Sequence, residues 1–350
     1  MPSLSRRTFA AAALSAAAVP NGTAIAQARQ MKLLLNTSLS GPVAFFLLAE
    51  EFGYLREAGA SLTFSPGGGA AVIVPQVVTG TFDLGYGDMT ALIERIARGP
   101  ANEGPVAIYT TFNTVPFTIA VAANGSIRAP KDLEGKTISG HPLDAALITF
   151  DMFANATGID ANKVKVVKLS DGMGGQVVEM LKGRQADGVF GFVNTIIASV
   201  TPLGIAAGDI RFLNYADYLP DMYGNTLFVT RELYRDDAAA LGPLVRALNR
   251  ALADTVQDPN RAIDALIKRE PSARRDVNHT RLVGTLKSEM AHPEGARLGV
   301  GDMDDARLAR LIKLVVEAKK LPRMPSVREV FDRSFLPPDA ERIRSLAGKM

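Results

Sequence analysis

The stretch "VVTGTFDLGYGD" (77–88) ends a helix-like apolar run on glycine, turns within a few residues onto an aspartate and enters a short apolar segment, and "MLKGRQADGVFG" (180–191) does the same about a hundred residues later. In each, Gly80 or Gly183 sits where a helix end needs a left-handed residue, and the strand that follows delivers its terminal loop to an edge. Outward from the first copy, "MKLLLNT" (31–37) reads as a strand, "GPVAFFLLAEEFGYLREAG" (41–59) as a helix, "ASLTFSP" as a strand, "GGGAAVIVPQVVTG" as a glycine-led helix, "DMTALIERIARG" as another helix and "PVAIYTTF" (105–112) as a fourth strand. The same grammar restarts with "KTISG", "HPLDAALITFDMFANATG" (141–158), "KVKVVKLS", "GGQVVEMLKG" and "DGVFGF". Two α/β lobes of one design follow, with parallel crossovers and with ligands expected at the carboxyl ends of the strands.

After "YGNTLFVT" (223–230) strand signals largely disappear. Helical patterns cover "DDAAALGPLVRALNRALADTV", "NRAIDALIKRE", "TRLVGTLKSEM", "DDARLARLIKLVVEAKK" and the C-terminal "PDAERIRSLAG". These helices are expected to clad the first lobe, so that the chain passes between lobes near 117–124 and again near 223–230. That double crossover makes a hinge. The predicted division is 31–118 for lobe one, 119–224 for lobe two, and 225–350 returning to lobe one with the helical tail.

Composition narrows the function classes. The chain has 350 residues, 47% hydrophobic and 21% charged, which exceeds the usual single-domain size. A net charge of +3, no Trp and no basic run interleaved with aromatics give no nucleic-acid surface. With no cysteine there is no disulfide, thiolate metal site or cysteine nucleophile. Three histidines, His141, His279 and His292, stand in no triad or metal-ligand spacing, so neither metal nor other cofactor is expected.

The compartment is read from "SRRTFAAAALSAAAV", where paired Arg6 and Arg7 precede an alanine-rich run and "NGTAIAQA" supplies a small-residue cleavage signal. Ser5-Arg6-Arg7-Thr8-Phe9 matches the twin-arginine export pattern. Residues 1–26 are therefore predicted to be a signal peptide cleaved after Ala26, leaving a soluble periplasmic chain with a net charge of +1.

The order and spacing of "LLAEEFGYLREAGASLTFSPGGG", "VVTGTFDLGYGD", "IRAPKDLEGKTISG", "ATGIDANKVKVVKL" and "LKGRQADGVFGF" resemble the periplasmic substrate-binding proteins of ABC transporters, in the branch that takes nitrate, sulfonates, taurine and thiamine pyrimidine precursors. The resemblance covers roughly 31–230. It implies a type II periplasmic-binding fold, a hinged clamp closing on a small molecule without chemistry, and partnership with a membrane permease and its ATPase; a monomer is expected, touching the membrane only through the permease. Enzymes of this branch, the sulfinate desulfinases and pyrimidine synthases, use cysteines that this chain lacks. A sensor or another enzyme with the same clamp remains the alternative.

Loop geometry together with this resemblance nominates the ligand contacts. Asn36, Thr37, Ser38, Ser40 and Gly41 follow the first strand, and Gly67, Gly68 and Gly69 open the next helix, where free backbone N–H groups can receive an anion. Asp88 either caps a helix or faces the ligand, in which case it favours an amine or ring N–H. Thr111 follows the fourth strand. Lobe two is expected to add Ser139, Gly140 and His141, then Asn194, with Tyr223 near the second crossover. The family's pyrimidine binders tend to carry Trp, Pro and Asn after the first strand, where this chain reads "NTSLSGPVAFF". That departure favours a small organic anion such as a sulfonate or carboxylate over a pyrimidine, with Phe112, Phe192 and Tyr223 available to pack a tail.

Overall fold

The computed structural model describes residues 28–348, so the predicted signal peptide lies outside the described residues. Among the described residues ten strands form two sheets: β1 (Arg29–Leu35), β2 (Ala60–Ser65), β3 (Leu84–Asp88), β4 (Val106–Thr110), β5 (Phe117–Ala122), β6 (Thr137–Gly140), β7 (Lys165–Lys168), β8 (Gly188–Phe192), β9 (Ile210–Asn214) and β10 (Asn225–Val229). Their spatial orders are β2-β1-β3-β10-β4 and β7-β6-β8-β5-β9. One sheet is a copy of the other in topology.

The repeated glycine-to-aspartate turn has a physical role in each copy. Gly80 and Gly183 take φ of 74° and 67°, the left-handed turn off a helix. The aspartate then fixes register: Asp83 accepts the Lys32 backbone N–H at 2.7 Å while its own N–H donates to Lys32 O, and Asp187 accepts the Thr137 N–H at 2.8 Å while its N–H donates to Thr137 O. Each carboxylate thus seats the incoming strand beside the first strand of its lobe, β3 beside β1 and β8 beside β6.

The sheets are mixed rather than wholly parallel. β10 runs antiparallel between β3 and β4, and β5 runs antiparallel between β8 and β9. Each is the strand on which the chain arrives from the other lobe. "FTIAVA", expected as a crossover, is therefore a central strand, and "IRFLN" is a strand that the alternation of apolar residues did not single out. The crossings themselves occupy the stretches between β4 and β5 and between β9 and β10.

Three helical expectations are corrected. The segment 41–59 divides into a 3-10 turn, Gly41–Val43, and the helices Ala44–Glu51 and Tyr54–Glu57, because Gly53 between the helices takes φ of 75°. The segment 141–158 divides into Ala145–Ile148 and Phe150–Thr157, because the Thr149 hydroxyl bonds the Ala145 carbonyl and its backbone leaves helical geometry. The C-terminal "PDAERIRSLAG" forms only a 3-10 turn, Asp339–Glu341; beyond it backbone groups serve other segments, Ile343 O accepting from Val300 N–H and Leu346 O from His292 N–H. The helices Ala238–Gln257 and Pro259–Arg269 do pack on Ala44–Glu51 of lobe one. Arg275–Ser288 also meets Val193–Val200, and Asp305–Ala318 packs on both Met89–Arg98 and Phe150–Thr157, so the tail clasps both lobes. Leu308, Leu311, Ile312 and Val315, one face of that last helix, are buried in a core shared by the two lobes.

Both crossings are fastened by one side chain. The Arg307 guanidinium donates to Pro220 O and Met222 O on the second crossing, to Asn113 O on the first at 2.7 Å, and to Glu294 Oε1 at 2.9 Å, with its centre 3.9 Å from the Tyr223 ring centroid. Glu294 also accepts from Asn113 Nδ2 and the Tyr223 hydroxyl. Arg307 and Glu294 are both buried. Arg307→Ala should cost about 3–5 kcal/mol, because it strands a buried carboxylate and three carbonyls. Urea unfolding checks this, and adding Glu294→Gln should recover part of the loss.

Candidate ligand-binding cleft

The carboxyl ends of the strands of the two sheets face each other across a cleft of ≈ 410 Å³. Asn36, Thr37 and Ser38 after β1, Gly67, Gly68 and Gly69 after β2, and Asp88 at the end of β3 line one wall; His141, Leu143, Asp144 and Ala145 after β6, Met173, and Phe192 and Thr195 after β8 line the other. The two walls touch at one rim. A Cβ added to Gly69 would lie 2.6 Å from Leu143 O, and Gly69 has φ of +126°, so only glycine lets the lobes approach this closely there. A smaller recess shares Asn36, Thr37, Phe192, Asn225 and Arg281 with the cleft and reaches Phe112, Thr285 and Glu289.

Asp88 does two things at once. Its Oδ1 caps Met89–Arg98, accepting the Ala91 N–H at 2.9 Å, while its buried Oδ2 has no partner. Burial, opposed by hydrogen bonds from the Ala91 and Thr90 backbone, pushes its pKa up to about 7. Across the cleft Asp144 caps Ala145–Ile148 through the Ala146 N–H at 2.8 Å, and burial pushes it up to about 6. His141 accepts the Leu143 N–H on Nδ1, which leaves Nε2 to present a proton to the cleft when the ring is neutral.

Arg281 is the cation of the cleft. It projects from Arg275–Ser288 into both cleft and recess and forms no ion pair among the described residues. Burial draws its pKa below the ordinary value against the pull of Glu289, yet a guanidinium stays charged at any physiological pH. Beside it, Asn36 Nδ2 donates to Asn225 Oδ1 at 3.2 Å, and Asn36 Oδ1 is buried without a partner.

Several nominated residues lie off the cleft, each for a structural reason. Ser40 is buried, and Gly41 donates its N–H to Asn278 Oδ1 with its Cα against the Asn278 carbonyl, so this turn docks on the tail helix. The Thr111 hydroxyl pairs with Tyr86 OH in the lobe-one core. Ser139 bonds Gln176, and Gly140 packs on Phe190. Asn194 bridges to the tail, donating to Ser288 Oγ and to Glu289 at 2.9 Å. Tyr223 belongs to the Arg307 cluster at the hinge and does not line the cleft. Conversely, Asp144, Thr195, Asn225 and Arg281 line the cleft without having been nominated. Asp144 stands three residues beyond the nominated His141 at a helix start, a legible cap signal; Arg281 sits in a polar helix with nothing local to mark it.

The raised Asp88 pKa has a sign. The folded state holds this proton more tightly than the unfolded chain, so the stability tied to Asp88 is full below about pH 4 and is lost as pH rises through about 7. Asp88→Asn, which keeps a capping oxygen, should flatten that decline by on the order of a few kcal/mol in urea unfolding across the window.

The model of the family described as NMT1/THI5 like matches residues 41–262. No curated protein matches the chain in sequence. Among solved structures, the alkanesulfonate-binding protein SsuA from Xanthomonas axonopodis pv. citri, bound to MOPS, is similar with TM-score 0.64 at 15% identity, over 87% of this chain and 98% of that one. The periplasmic aliphatic sulphonate binding protein SsuA from Escherichia coli gives TM-score 0.64 at 14% identity over 86% and 96%. The desulfurization enzyme DSZB gives TM-score 0.55 at 14% identity over 87% and 97%. The periplasmic-binding fold is common to them and to this chain.

Proposed function

The chain belongs to the NMT1/THI5-like family, and from that premise we propose that it is the extracytoplasmic solute receptor of an ABC importer, closing on a small organic anion and performing no chemistry. The observation that carries this reading is Arg281, a half-buried guanidinium in the cleft that forms no direct ion pair among the described residues, Glu289 acting on it only from the adjoining recess. A planar five-donor cation suits a sulfonate or carboxylate. The Nε2 side of His141 adds a donor, and Phe192 supplies an apolar wall. Similar folds in sulfonate-binding proteins support the receptor reading. No helix among the described residues is long and apolar enough to cross a membrane.

A pyrimidine or another ring bearing N–H groups is the second reading, favoured by the two cleft carboxyls Asp88 and Asp144. Thermal melting of the exported chain against alkanesulfonates, carboxylates, nitrate and pyrimidines separates them. A ligand at 100 times its Kd stabilises by about 2.7 kcal/mol. An anion should raise Tm, and Arg281→Met should weaken it at least tenfold, about 1.4 kcal/mol. Response to pyrimidines alone, unchanged by Arg281→Met, would sink the anion reading.

A further inference from the structure

A second cavity, of ≈ 290 Å³, shares Asp88 and Ala145 with the cleft, so these two residues, one from each lobe, partition two chambers. Its remaining wall comes from Ala70–Val78 and Met89–Arg98 of lobe one, from Ile148 and Thr149 of lobe two, and from Lys319 at the end of the last long helix. Inside, Asp88 Oδ2 and Thr90 Oγ1 are buried with no hydrogen-bond partner, and Thr90 lines this chamber but not the cleft. Two neighbouring orphaned oxygens call for a donor, since each is costly left unpaired.

The rim has the opposite demand. Arg95, Arg98 and Lys319 stand there against one carboxylate, Glu94, which pairs with Arg98 at 2.9 Å and Lys319 at 2.7 Å. Arg95 has no ion pair among the described residues. Between the carboxyl inside and this guanidinium the wall is apolar, with Val74, Pro75, Ala91 and Ile148. Asp88 and Arg95 are about two helical turns apart, roughly 10 Å along the axis.

We propose that this chamber is a second ligand site, for a small amphoteric molecule with an ammonium head at Asp88 and Thr90, an aliphatic body and an anionic end at Arg95. Any occupant touches both lobes and the tail. It therefore stabilises the closed clamp whatever fills the cleft, and the two sites are thermodynamically linked.

The probe is 6-aminohexanoate, with hexylamine and hexanoate as single-ended controls, read by calorimetric titration and thermal melting of the exported chain. It should bind wild type and Arg281→Met alike, and each control at least tenfold more weakly. Ile148→Phe, which fills the chamber and does not line the cleft, should abolish binding, and the rim variant Arg95→Gln should weaken it tenfold or more; the latter keeps the test intact if Ile148→Phe does not fold. Binding lost in Arg281→Met but kept in Arg95→Gln would place the probe in the cleft and overturn the proposal. So would the absence of any heat or melting shift at millimolar probe, which would leave the chamber to water.

Discussion

Arg307 is where the two lobes become one molecule. Its guanidinium satisfies carbonyls on both interlobe crossings and is itself neutralised by Glu294, whose other oxygen holds Tyr223 on the second crossing. Crossing segments belong to neither sheet, so their carbonyls have no ladder partners and need a donor from elsewhere. A single five-donor side chain meets that need for both strands, from a helix whose apolar face is packed into the cores of both lobes. Lysine, a point donor on a flexible stem, could not reach the same set.

The cleft inherits its chemistry from this arrangement. The tail that supplies Arg307 also supplies Arg281, so the cleft cation is set by a helix outside either sheet's repeat. The sheets supply carboxyls, Asp88 and Asp144, both at helix starts. Each is held by backbone N–H groups that favour the charged form and by burial that favours the neutral one; burial wins in both. The cleft thus sets one fixed guanidinium against two carboxyls poised to titrate.

The fold was legible because the repeated turn couples two local signals, a left-handed glycine and an aspartate at a strand start, that recur at matching places. β5 and β10 escaped in direction, since a strand's polarity relative to its neighbours depends on which lobe the chain arrives from, and that is not a local property. The cleft was half legible for a related reason. Loops after β1, β2, β3 and β6 follow from topology and were named, whereas Arg281 and Asn225 come from segments whose approach is decided by tertiary packing. Tyr223 misled because a polar aromatic near a crossover serves equally as ligand contact or hinge pin, and only the arrival of Arg307 from eighty-four residues downstream decides.

Admitting a solute requires the walls to part, and the contacts between lobes differ in what parting would cost. In a rotation about the two crossings, displacement grows with distance from the axis. The Arg307 cluster lies on the crossings themselves and can persist, as can packing close beside them. Gly69 against Leu143 is at the cleft rim, and Asn194 reaches across to Ser288 and Glu289 on the tail. The first contact is little more than van der Waals touch and separates at small cost. Asn194 instead leaves Glu289 a buried carboxylate without its donor, a penalty that falls only as water enters the widening gap. Of these two contacts, the amide-to-carboxylate bond of Asn194 resists parting and the bare contact of Gly69, in the cleft wall with Asp88 and His141, does not.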